Sequence, residues 1–187
     1  MVTLIANETV SLEEFLKLPE TKPAQEFFDH KIITKPMPQG KHSIIQAELA
    51  TVINSILKPQ KIGFAFPELR CTFGGKSIVP DIVVLTYDHI PRDDNGDIGN
   101  VVNIAPDWMI EILSPEQSQS LIIKKILHCL EECCQLAWII DSEQKTIFAY
   151  SPQKVKAFDV DSDVLPVPDF VSDLKLTLGD IFGWLNF

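Results

Sequence analysis

The chain has 187 residues, 45% of them hydrophobic, which is enough to bury a sizeable core and reads as one domain spanning 1–187. Its 26 acidic residues against 16 basic ones give a formal charge of −10, which argues against a dedicated high-affinity nucleic-acid binder and makes a metal ion more necessary for any chemistry on phosphates. With no run of eighteen apolar residues and no signal-peptide pattern in "MVTLIANETVSLEEF", the expectation is a cytoplasmic protein without a membrane span.

In chain order, Ser11 and Glu14 form a capping box for a short helix reaching about Leu18, where Pro19 and Pro23 stop it. Residues 26–34, "EFFDHKIIT", alternate as a strand pair with a turn near Asp29 and His30, and "KPMPQG" follows as a loop. From Lys41 to Lys58 apolar residues recur at helical spacing, with one buried face. Short strands are expected at Ile62 to Phe66 and Leu69 to Phe73, then a Gly74-Gly75 turn, then the strand "DIVVL" from Asp81 to Leu85. A polar loop leads to "DWMIEILSP", residues 107–115. A second long helix is expected at about Ser118 to Cys134, then the strands "LAWIID" and "TIFAYS". The tail "LKLTLGDIFGWLNF" reads as a strand and a short closing helix. Together these describe an α/β (α+β) fold, a central mixed sheet flanked by helices.

Glu111 stands in the apolar run Trp108, Met109, Ile110, Ile112 and Leu113, so its side chain is expected to face a core. A buried carboxylate needs a partner, a proton or a metal. Asp81, behind Pro80 at the start of another strand, becomes that partner if the two strands are neighbours, because two facing carboxylates share a proton or a hard cation such as Mg²⁺. The plainer alternative is that Asp81 caps a loop and Glu111 pairs with an arginine such as Arg70. On the following helix Ile122, Ile126, Cys129, Leu130 and Cys133 centre the apolar face. Lys124 and Lys125 lie near its opposite edges, Lys125 slightly closer to the buried side, from which it can reach the sheet end.

The succession of "VPDIVVL", "DWMIEILSP", a helix carrying Lys125 and "CCQLAWIID" resembles a restriction-endonuclease-like family within the PD-(D/E)xK nuclease superfamily. The likeness covers most of the chain, including "SLEEFLKLPE", Glu26 with Asp29, His42 at a helix start, and the strand end from Trp138 to Asp141. It implies a metal-dependent phosphodiester-hydrolysing site. Asp81 and Glu111 would hold Mg²⁺ or Mn²⁺ with the carbonyl of Ile112, Glu26 would be a third acid, and the substrate would be nucleic acid, DNA first. The superfamily's lysine two residues after the acid is replaced here by Leu113, and Lys125 on the helix takes its place. Three further departures concern packing: His30 and Cys133-Cys134 stand where glycine and Gly-Val are usual, and Cys129 where tyrosine is. By analogy with enzymes that cut two strands, a homodimer is expected.

Other chemistry is weaker. His128, Cys129, Glu132 and Cys133 have i, i+4 spacing suited to zinc, but the cysteines fall on the apolar face and His128 and Glu132 on the polar one. No CxxC pair exists among the four cysteines, so reduced thiols are expected. His42 and Gln46 lie one turn apart, where they would line a groove or meet solvent. The alternative to an enzyme is a non-catalytic interaction protein that keeps the fold and joins Glu111 to Lys125 in a buried salt bridge.

Overall fold

The computed structural model describes residues 10–115 and 117–186. The expectation of no leader falls on residues 1–9, which lie outside the described residues. The capping box is formed, with Glu14 N donating to Ser11 Oγ and Ser11 N donating to Glu14 Oε2. It opens α1, Leu12–Leu16, which stops two residues before the expected Leu18 because Lys17 already caps it.

Two sheets follow. β1 (Gln25–Phe28) and β2 (Lys31–Thr34) form a hairpin, joined by β5 (Lys76–Ile78) and β4 (Cys71–Phe73) into a small antiparallel sheet of order β2-β1-β5-β4. The hairpin loop is the two residues Asp29 and His30, with φ of 49° and 60°. A two-residue turn of the primed type needs positive φ at both positions, which explains why glycine would suit the place of His30.

The larger sheet has the order β10-β9-β8-β7-β6-β3. It comprises β3 (Gly63–Pro67), β6 (Ile82–Thr86), β7 (Trp108–Ile112), β8 (Leu136–Asp141), β9 (Thr146–Ser151) and β10 (Lys154–Phe158). Only the β7–β8 pair is parallel, so the sheet is mixed. The parallel pair needs a crossover, supplied by α3, Gln119–Glu131. The period of two sorts the central strands between two cores. Trp108, Ile110, Ile112, Ile82 and Val84 pack beneath α2 (Gly40–Leu57) and α4 (Leu178–Gly183). Met109, Val83 and Leu85 face the opposite way, toward α3 and the small sheet. Among the described residues no helix is long and apolar enough to cross a membrane.

The structure departs from the sequence expectations in four places. The tail strand is absent. Leu174, Leu176 and Leu178 are buried as their alternation suggested, but the segment has only an isolated bridge, Val164 to Thr177, so an apolar period of two reports burial without guaranteeing a strand partner. β5 and β10 were not anticipated. β10 is an edge strand exposed along four of its five residues, so the alternation of Lys154, Val155, Lys156 and Ala157 marks no buried face. His128, expected on the polar side of α3, is buried and stacked on Phe73 at 4.9 Å, because β4 of the small sheet covers that end of the helix. Cys133 is likewise exposed instead of apolar-facing. It lies past the helix end at φ 74°, the left-handed position where glycine is favoured.

Candidate active site

The chain passes from the small sheet to the large one through Val79, Pro80 and Asp81, between the end of β5 and the start of β6. Three of its backbone groups are tied to residues of other elements. Val79 N donates to Glu26 Oε1 at 2.8 Å, and Val79 O accepts from Lys35 Nζ at 2.7 Å. The Asp81 carbonyl accepts from Gln46 Nε2 at 2.8 Å and from Glu68 N at 3.1 Å. Pro80 adds a fixed φ.

β6 and β7 are antiparallel neighbours with Ile82 opposite Ile110, so Asp81 stands opposite Glu111, as the two-strand argument required. Asp81 Oδ2 accepts from Ile112 N at 2.7 Å, and His42 Nε2 lies 3.1 Å from the same oxygen. Ile112 therefore meets the cluster through its amide. Asp81 Oδ1 accepts from Lys35 Nζ at 2.7 Å. On α3, Lys125 is 2% exposed and donates to Glu111 Oε1 at 3.0 Å and to both oxygens of Glu26, at 3.0 and 2.8 Å. Lys124 points away to solvent and lies 3.7 Å from Asp29. The two lysines that the wheel placed at opposite edges of the apolar face thus divide into a buried Lys125 and an exposed Lys124.

Four sequence candidates, Glu26, Asp81, Glu111 and Lys125, are brought together, and Ile112 joins them by its backbone. Arg70 does not pair with Glu111. It forms a two-pronged contact with Glu20, at 2.9 and 2.7 Å, because the small sheet separates it from β7. Two members were not anticipated in these roles: His42, which turns inward onto Asp81, and Lys35. A signal for Lys35 was available. A two-residue turn fixes Glu26 opposite Ile33, and Lys35, two residues further, shares that face.

The electrostatics follow from burial among these charges. Three carboxylates face two ammoniums, so one negative charge is left over when all five are ionised. Burial pushes Glu111 up to about 7, against the downward pull of Lys125 and Lys35 and with help from Asp81 and Glu26. Burial would also raise Asp81, but Lys35 and His42 outweigh it and hold the carboxyl well below its ordinary range. Burial pulls both lysines down, and the surrounding carboxylates more than reverse it, so Lys35 and Lys125 lie above the usual lysine value.

Two buried atoms of the site lack a hydrogen-bond partner, His42 Nδ1 and Glu111 Oε2. Glu111 Oε2 is buried with no hydrogen-bond partner, its nearest cation being Lys35 Nζ at 3.8 Å. An unpartnered buried carboxylate oxygen beside a second carboxylate is a donor set that suits a hard divalent cation, so the residues fit such an ion. Among the described residues no three His, Cys, Asp or Glu groups stand together as a ready-made metal site, and the ammonium groups lie between the carboxylates. Glu26, Lys35 and Lys125 line a cleft of about 230 Å³, through which the cluster meets solvent.

Comparison with known proteins agrees with this architecture. The fold superposes with a TM-score of 0.93 on a crystal structure described as "a putative nuclease belonging to DUF820" from Anabaena variabilis. The two are 56% identical over 94% of this chain and 99% of that one. No curated protein matches the chain. The model of the family described as "Uma2: Putative restriction endonuclease" matches residues 12–179, nearly the whole length, and the chain therefore belongs to the Uma2 family, with a restriction-endonuclease-like fold.

Proposed function

We propose that the protein is a Mg²⁺- or Mn²⁺-dependent nuclease that hydrolyses phosphodiester bonds in DNA. Asp81 and Glu111 are its metal ligands, with the Ile112 carbonyl as the backbone contribution, and Lys125 is its cationic catalyst. The observation that carries the reading is the unpartnered Glu111 Oε2 beside Asp81, in a cluster of three carboxylates and two ammoniums. Bound there, the ion supplies Lewis-acid polarisation of a phosphoryl oxygen and acidifies water. The chain's own residues do the rest. Lys125 stays charged and offers an ammonium to the charge that builds on the phosphate, while Glu26 and Glu111 fix its position. His42, Gln46 and the Ile112 amide hold Asp81 in one orientation, so little reorganisation is needed when the substrate arrives. Glu26, with both oxygens engaged, serves here mainly as the anchor of Lys125.

A second reading, a non-catalytic interaction protein, has its own observation: Lys125 already satisfies Glu111 Oε1 and Glu26 in a salt bridge that needs no metal. Incubation of plasmid DNA with Mn²⁺ separates the two. The wild type cuts, whereas Asp81→Asn, Glu111→Ala and Lys125→Met each lose on the order of 100-fold or more, the loss typical when one preorganised electrostatic group is removed. Equal cutting by wild type and Glu111→Ala would mark the activity as a contaminant's. Calorimetric Mn²⁺ binding that disappears in Asp81→Asn would rule out the purely structural salt bridge.

A further inference from the structure

We infer that Lys35 is a tethered stand-in for the divalent cation: its ammonium occupies the position between Asp81 and Glu111 and must leave when the metal enters. The inference rests on the metal reading above and assigns Lys35 a part in it that the catalytic lysine, Lys125, does not share. Lys35 Nζ is the group that reaches both of the proposed ligands, at 2.7 Å from Asp81 Oδ1 and 3.8 Å from Glu111 Oε2. Lys125 touches Glu111 and Glu26 instead. An ammonium and a hard divalent ion compete for the same carboxylate oxygens, and both cannot sit between them, because their charges repel at that separation.

The position of Lys35 in the fold lets it leave. It follows β2 and precedes Pro36, and its backbone N–H still donates across the hairpin to Ala24 O at 2.9 Å, so the backbone is held and the motion required is that of the side chain alone. Its side chain lines the cleft of about 230 Å³ on the side of Lys125 and a second cleft of about 370 Å³ on the side of Arg70. Both clefts border the residue, so a rotation of the side chain toward either would give up the Asp81 contact and its bond to Val79 O. Lys125 lacks that freedom, being held by two carboxylates from two different strands. Without the ion, Lys35 keeps Asp81 and Glu111 from repelling one another. With it, the freed ammonium points into the clefts through which a phosphodiester would approach.

The test combines lysine labelling with calorimetry on the full chain. Brief acetic anhydride treatment followed by peptide mass spectrometry reads each lysine with and without saturating Mg²⁺, with exposed Lys124 as the internal standard. Lys35 is protected without metal and gains about tenfold in reactivity with it, a coupling of ordinary size, while Lys125 stays protected. In parallel, Lys35→Met binds Mn²⁺ more tightly than wild type by a similar factor. Binding seen only in Lys35→Met supports the inference as well, since it means the tethered ammonium wins in the wild type. Equal affinities, or Lys35 still protected at saturating Mg²⁺, overturn it and leave the metal site standing. No binding by either protein overturns the metal reading itself and this inference with it. If Lys35→Met fails to fold, labelling of the wild type decides.

Discussion

Replacing Glu111 by glutamine tests whether burial controls this site. Glutamine keeps the shape and the carbonyl that accepts from Lys125, and it removes the titration. In the folded chain Glu111 is pushed up to about 7 from an ordinary value of 4.5. An acid whose folded pKa is raised binds its proton more tightly when folded, so between about pH 4.5 and pH 7 the unfolded chain ionises first and stability falls as pH rises. At ~1.4 kcal/mol per pH unit the wild type should lose about 3 kcal/mol across that window relative to Glu111→Gln. Asp81, held low, contributes stability that is present above its ordinary value and lost only as pH falls further. Lys35 and Lys125, held high, contribute stability lost only in strong alkali. Urea unfolding in EDTA at half-unit steps from pH 4.5 to 8, read by tryptophan fluorescence, gives the difference in free energy between the two proteins. It should swing toward Glu111→Gln as pH rises. A flat difference across the window would falsify the claim that Glu111 is held in a desolvated, raised state.

Two further outcomes probe the surroundings. Trp108 and Trp138 are both fully buried and meet edge to face at 4.8 Å, yet only Trp138 has a partner for its indole N–H, the Pro166 carbonyl at 3.0 Å. Trp138→Phe should therefore be less stable than Trp108→Phe by ~1–2 kcal/mol, since it alone strands a carbonyl, and equal or reversed denaturation midpoints would refute this. Of the cysteines, Cys133 is exposed, while Cys71 and Cys134 are buried with thiols pushed up to about 12 and Cys129 is also raised. A disulfide reagent at pH 8 should thus react rapidly with one thiol per folded chain, and with none in Cys133→Ser; a fast thiol surviving in that variant would contradict the burial of the other three.

Much of the site was legible in the sequence because charge in an apolar strand is a strong constraint. Glu111 between Ile110 and Ile112 had to be compensated, and Pro80-Asp81 supplied a second acid at a strand entry. The helical period of α3 put Lys124 and Lys125 at opposite edges of its apolar face without choosing between them, and the family resemblance singled out Lys125, which is the buried one. Lys35 was harder to see, because its partners are distant in sequence and its neighbours, "KPMPQG", read as loop. Only the exact register of the β1–β2 hairpin sets it beside Glu26. His128 shows the complementary difficulty: a helical wheel sorts residues against one packing surface, and α3 has two, the large sheet and β4. The tail segment was misread for a related reason, since Leu174 and Leu176 bury their side chains without joining a ladder.

The crossover at Val79 to Asp81 gives the site a mechanical character. Glu26 and Lys35 belong to the hairpin, Glu111 to the large sheet and Lys125 to the crossover helix, so the ion pairs that prepare the chemistry are also the clasp that closes one sheet against the other. A substitution that loosens one of these ion pairs therefore loosens the junction of the sheets and the proposed site together.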